Sequence, residues 1–159
     1  MKVGLDSNVL VASVKRSGEP HHNSAISLAK EISKQDGVGV VSALVLIEVP
    51  GALSSSTRMP VEKIYEVLAS LQANFRLRIA EFEAHTALAR DLMFEFRGLK
   101  SKWEIGSADF HHIATSIANG CDLFITTDEK HMLREECRKE FEKYIKIVAP
   151  NQALRELCN

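Results

Sequence analysis

The sequence has one tryptophan in 159 residues, three cysteines, four prolines and eight glycines, and it carries almost no excess charge of either sign. Each shortage excludes something. Proline and glycine are too sparse for a collagen-like repeat or a low-complexity disordered chain, and 45% apolar with 26% charged residues is the composition of an ordinary folded domain. Cys121, Cys137 and Cys158 are odd in number and form no CxxC pair, which argues against a disulfide scaffold and for a reducing, cytoplasmic setting. No apolar stretch develops before Asp6, so the first residues read as neither a signal peptide nor a membrane span. GxSxG, GxxxxGKS/T and helix-opening GxGxxG patterns are missing too, which leaves serine-hydrolase, P-loop and dinucleotide-binding chemistry without support. The net charge of -1, from 20 Lys+Arg against 21 Asp+Glu, names no partner, because a basic path and an acidic pocket can coexist on a neutral chain.

What is present is an alternation. Short apolar strands are predicted at 2–5, 38–41, 77–80, 122–126 and 145–148, and between and after them helices at 9–14, 23–35, 43–53, 60–71, 82–96, 107–119, 129–143 and 150–157. Residues 97–102 read as a basic connection. No repeat or linker divides the chain, so a single domain over 1–159 is expected, a three-layer α/β fold on a mainly parallel sheet. A chain of this size buries roughly two-thirds of its unfolded surface and needs no disulfide or structural metal to hold a core. In such folds ligands bind beyond the carboxyl ends of the strands, where strand order reverses.

Two acids stand at such ends: Asp6 after the first strand and Asp128 after the fourth. Glu48 is the only charge in the run 40–49, so its helix is expected to be apolar all round and mostly buried, with Pro50 kinking or ending it and Ser42 capping its start. Asp109 opens a helix among Phe110, Ile113, Ala114 and Ile117. Singly, three of these have ordinary accounts: Asp6 as a helix cap, Asp109 as a first-turn acid, Asp128 as the start of the next helix. Glu48 has none, and no Lys or Arg stands beside it in sequence. A divalent cation accounts for all four together. Hard carboxylate oxygens suit Mg²⁺ or Mn²⁺, and a bound ion keeps converging acids ionised.

With these residues in view, the chain resembles the PIN-domain ribonucleases, which include the VapC-type toxins of toxin-antitoxin pairs. The resemblance spans nearly the whole chain and rests on Asp6-Ser7-Asn8, on Glu48 in its apolar helix, on the run from Ser107 through Asp109 to Ala118, and on Phe124-Ile125-Thr126-Thr127-Asp128. It implies a five-stranded sheet ordered 3-2-1-4-5 and an acidic cluster of Asp6, Glu48, Asp109 and Asp128 that binds Mg²⁺ or Mn²⁺ and hydrolyses RNA phosphodiester bonds. By position, Asn8 and Thr126 match small polar residues that hold the carboxylates in place. For a toxin it implies a small antitoxin partner and a homodimer. The segment 129–143 is longer than the corresponding link in the smallest toxins.

Arg97, Lys100 and Lys102, before the Asp109 helix, are candidate phosphate contacts, and Trp103 is a candidate for stacking on a base. The histidine pairs His21-His22 and His111-His112 form no zinc pattern, but His112 falls one turn after Asp109. Two alternatives remain. One is a PIN-like module that binds RNA or a protein without catalysis, against which the presence of all four acids argues. The other, weaker, is a haloacid dehalogenase-type phosphatase, whose Asp-x-Asp-x-Thr pattern is broken here by Asn8 and Leu10.

Overall fold

The computed structural model describes residues 1–16 and 18–158, and the side chain of Lys100 lies outside that description. The core of the molecule is a five-stranded sheet of β1 (Lys2–Leu5), β2 (Val38–Ser42), β3 (Leu77–Ala80), β4 (Leu123–Ile125) and β5 (Lys146–Val148), ordered β3-β2-β1-β4-β5 with every pair parallel. The expected strand order is therefore present. Among the described residues nine helices flank it: α1 (Ser7–Val14), α2 (His22–Lys34), α3 (Val45–Thr57), α4 (Val61–Asn74), α5 (Phe82–Glu95), α6 (Arg97–Trp103), α7 (Ser107–Ala118), α8 (Glu135–Phe141) and α9 (Pro150–Leu157).

Strands buried on both faces need apolar residues at every position, and the two-residue period then sorts them between two cores. Val3, Leu5, Leu123, Ile125 and Val148 join the core built with α1, α2, α3, α4 and α9. Phe124 and Ile147 face the other way, into the core built with α5, α7 and α8. Gly4 faces that second layer as well, and here the absence of a side chain decides the packing: a Cβ on Gly4 would lie 2.0 Å from the Ser116 hydroxyl oxygen and 2.5 Å from its Cβ. Only glycine lets α7 approach β1 this closely, and α7 carries Asp109 and His112.

The structure departs from the sequence expectations in three places. Residues 97–102, read as a connection, form most of α6, because Phe96, Leu99 and Trp103 recur at helical spacing against the second core and outweigh the Gly98 break. The charged segment 129–143 is helical only over α8. Its first residues turn instead, since Asp128 accepts the backbone N–H groups of Lys130 and His131 at 3.2 and 3.1 Å. Finally, α3 starts at Val45 rather than 43 and continues through Pro50 to Thr57. Ser42 is tied up earlier, with His111 Nδ1 at 2.9 Å and the Leu44 N–H at 3.2 Å. Nor is α3 apolar and buried all round: Leu46 and Ile47 are 52% and 73% exposed. Pro50 is tolerated because the carbonyl it leaves without a helical donor belongs to Leu46, on that solvent-facing side.

Candidate active site

Strand order reverses between β1 and β4, which lie side by side with α1 leaving one and the 126–128 segment leaving the other. The Asp6 N–H still donates to the Ile125 carbonyl at 3.0 Å, so the two chain segments part only beyond these residues. Asp6 occupies the position that caps α1, yet its carboxylate makes no capping bond. Its Oδ2 instead accepts from the Thr126 hydroxyl at 2.7 Å and from Asn8 Nδ2 at 2.8 Å. Asn8 Nδ2 also donates to Thr126 Oγ1 at 3.0 Å, Asn8 Oδ1 accepts the Thr127 N–H at 3.0 Å, and Thr126 Oγ1 accepts the Asp128 N–H at 3.1 Å. Every polar hydrogen of Asn8 and Thr126 side chains is used, and the network fixes Asp6 and the Asp128 backbone relative to each other.

Asp6 is 4% exposed, and burial pushes its pKa up against the pull of His112 and Thr126, with Glu48 adding to the rise. Asp109, in the first turn of α7, accepts the Gly106 N–H at 2.7 Å. The ordinary account of Asp109 as a helix-start acid is thus correct as far as it goes, but its pKa is pushed up to about 6, by burial first and then by the charges of Asp6 and Asp128. Asp128 gives one oxygen to its own turn and the other to His131 Nδ1 at 3.0 Å.

Glu48 departs from its expected burial: its side chain is one-third exposed, and Oε2 is hydrogen-bonded to His112 Nε2 at 2.8 Å. That bond, outweighing partial burial, holds the Glu48 pKa below its ordinary value, with a further contribution from the Ser7 hydroxyl. His112 is 2% exposed; burial alone would lower its pKa, but the bond to Glu48 and the charges of Asp6, Glu48 and Asp109 raise it on balance. Sequence reasoning noted that His112 falls one turn after Asp109 but not that it pairs with Glu48, because the two are 64 positions apart. His131, three residues after Asp128, had a local signal in that spacing.

Glu48 adds to the rise at Asp6, and Asp6 and Asp128 add to the rise at Asp109, which is the electrostatic condition a divalent cation relieves. Their oxygens are the hard donors that suit Mg²⁺ or Mn²⁺, and the residues fit such an ion. Among the described residues, no group of three or more His, Cys, Asp or Glu side chains already surrounds one point, since Glu48 and Asp128 are turned to histidines. Of the basic candidates, Arg97 is exposed on α6, Lys100 lies outside the described side chains, and Lys102 sits over the Trp103 ring at 4.7 Å. Trp103 packs against the second core with Arg134 also over its ring, at 4.2 Å, so it presents cations where a base was expected.

The sequence matches the model of the PIN domain family over residues 3–157. This chain belongs to the PIN-domain family, whose members are generally nucleases, and the phosphatase alternative falls with that assignment. No curated protein sequence matches it. Among solved structures it is similar to VapBC2 from Rickettsia felis, determined bound to a DNA fragment from their promoter, with 18% identity and a TM-score of 0.61 over 94% of this chain and 98% of that one. It is also similar to FitAcB from Neisseria gonorrhoeae, at 19% identity and a TM-score of 0.60 over 94% of this chain and 98% of that one. Among the described residues no helix is long and apolar enough to cross a membrane.

Proposed function

We propose that this protein is a divalent-metal-dependent endoribonuclease and the toxin of a toxin-antitoxin pair. What supports the proposal is that Asp6 and Asp128 follow the carboxyl ends of the neighbouring strands β1 and β4, with Asp6 pushed up in pKa by burial and by Glu48, and Asp109 by burial and by Asp6 and Asp128. Family membership supports nuclease chemistry, and the likeness to VapBC2 supports a toxin with a small antitoxin partner.

The roles follow from the geometry of the chain's own groups. Asp6, held by Thr126 and Asn8, is the fixed carboxylate, and Asp109 and Asp128 complete the oxygen donors on the α7 and β4 sides. Glu48 reaches in from α3 with its carboxylate held by His112 and by the Ser7 hydroxyl. When bound, Mg²⁺ or Mn²⁺ supplies Lewis-acid polarisation of the phosphodiester. Asp109 or Asp128 is placed to hold the attacking water. Cytoplasmic action accords with three free cysteines. We include a homodimer in this proposal on the family resemblance.

A silent binding module is the second reading, and one observation favours it: Glu48 already has a hydrogen-bond partner in His112 without any ion. The two separate on a mixed RNA pool incubated with wild type or Asp6→Asn, with Mn²⁺ or with chelator. Cleavage only by wild type with metal is the expected result; equal outcomes in all four conditions contradict the proposed function.

A further inference from the structure

An acidic site that cuts RNA needs cations beside it to hold the strand, because uncompensated carboxylates repel phosphate. Resting on the ribonuclease proposal, we infer that Lys102 and Arg134, both held over the Trp103 ring, form a binding site for the RNA phosphodiester backbone on the segments that lead to Asp109 and away from Asp128. The amine of Lys102 lies 4.7 Å from the ring centroid and the guanidinium carbon of Arg134 lies 4.2 Å from it.

Three observations point to an anion. First, two like charges share one ring, and among the described residues neither has a carboxylate partner, whereas Lys139, Lys143 and Lys146 nearby in the chain are paired with Glu135, Glu95 and Glu156. Second, the ring joins the two segments that carry site acids. Trp103 ends α6, three residues before Gly106, whose N–H holds Asp109. Arg134 ends the turn that Asp128 opens: its Nε donates to the Lys130 carbonyl, and the Lys130 N–H donates to Asp128. Third, stacking orients the guanidinium and ties down Nε, which leaves the terminal nitrogens as the donors that match phosphate oxygens. This shifts the expected RNA contact from Arg97 toward Lys102 and adds Arg134, which sequence reasoning did not single out.

The test is equilibrium binding of a fluorescein-labelled single-stranded RNA pool in chelator, across a salt series, read by anisotropy. Lys102→Gln and Arg134→Met, the latter keeping an apolar stem on the ring, should each weaken binding several-fold and lower the salt slope by about 0.7 per lost phosphate contact. Lys30→Gln, on α2 in the opposite helical layer, should change neither. With metal, the paired variant should raise KM and leave kcat near wild type. A salt slope unchanged in the folded double variant, checked by circular dichroism, overturns this inference alone. Failure of wild type to bind RNA in chelator even at low salt, with cleavage retained when metal is added, overturns the inference alone; neither binding nor cleavage overturns it together with the ribonuclease proposal. RNA binding that depends on both cations but gives no cleavage with metal supports the inference and contradicts the catalytic proposal.

Discussion

Glu48 Oε2 and His112 Nε2 lie 2.8 Å apart, joining α3 to α7 across the acidic end of the sheet. This pair makes stability depend on pH in a defined window. Glu48 has a depressed pKa, so its contribution is present above its ordinary value of 4.5 and is lost as pH falls through its folded value. His112 has a raised pKa, so its contribution is complete below 6.5 and is lost as pH rises through its folded value. A double-mutant cycle of Glu48→Gln and His112→Phe, read by urea unfolding in chelator, should therefore give its largest coupling between about pH 4.5 and 6.5 and a smaller one at about pH 9. The expected coupling is about 1 kcal/mol, because solvent reaches the Glu48 carboxylate. Equal coupling at both pH values would contradict the pairing.

Asp109 should be a liability to the metal-free fold. Its pKa rises from 3.8 to about 6, so the folded state gives up stability as pH rises through that interval. Asp109→Asn keeps an oxygen for the Gly106 N–H and removes the charge. In chelator at about pH 7 the variant should be more stable than wild type by about 2 kcal/mol, and below about pH 4 the difference should vanish. Thermal melts at the two pH values check this; a variant less stable than wild type at neutral pH is the contrary result.

Gly4 sets how close α7 comes to β1. Gly4→Ala must push Ser116 away, and with it the helix that carries Asp109 and His112. We expect a loss of about 2 kcal/mol in stability and a fall in cleavage, both partly restored by Ser116→Gly, which removes the atoms the new Cβ would strike. If Ser116→Gly only adds its own helix penalty, the close approach is not what Gly4 is for.

The fold was legible in the sequence because its strands are short apolar runs and its helices carry a clear period. Pairing order came from the resemblance, since β1 and β4 are joined by contacts more than a hundred residues apart. The four acids were legible as isolated charges in apolar surroundings. Their partners were not. His112 reaches Glu48, and Arg134 reaches Trp103, only because α7 and the turn after Asp128 are folded back onto them. The burial of α3 was misread for a related reason: a helix rich in Leu, Ile and Val still needs a second surface to bury its far side, and Leu46 and Ile47 have none. Local propensity also missed α6, where core packing of Leu99 and Trp103 overrides Gly98.

The central claim, that these acids form a divalent-metal site, is tested most directly by calorimetric titration of Mn²⁺ into wild type and Asp6→Asn, with melts confirming that both are folded. Asn at position 6 can still accept from Thr126 and Asn8 through its one oxygen but loses the charge and the second oxygen, so the account predicts saturable binding to wild type and affinity weaker by about tenfold or more in the variant. Equal Mn²⁺ binding by the two proteins, or none by wild type, would contradict it.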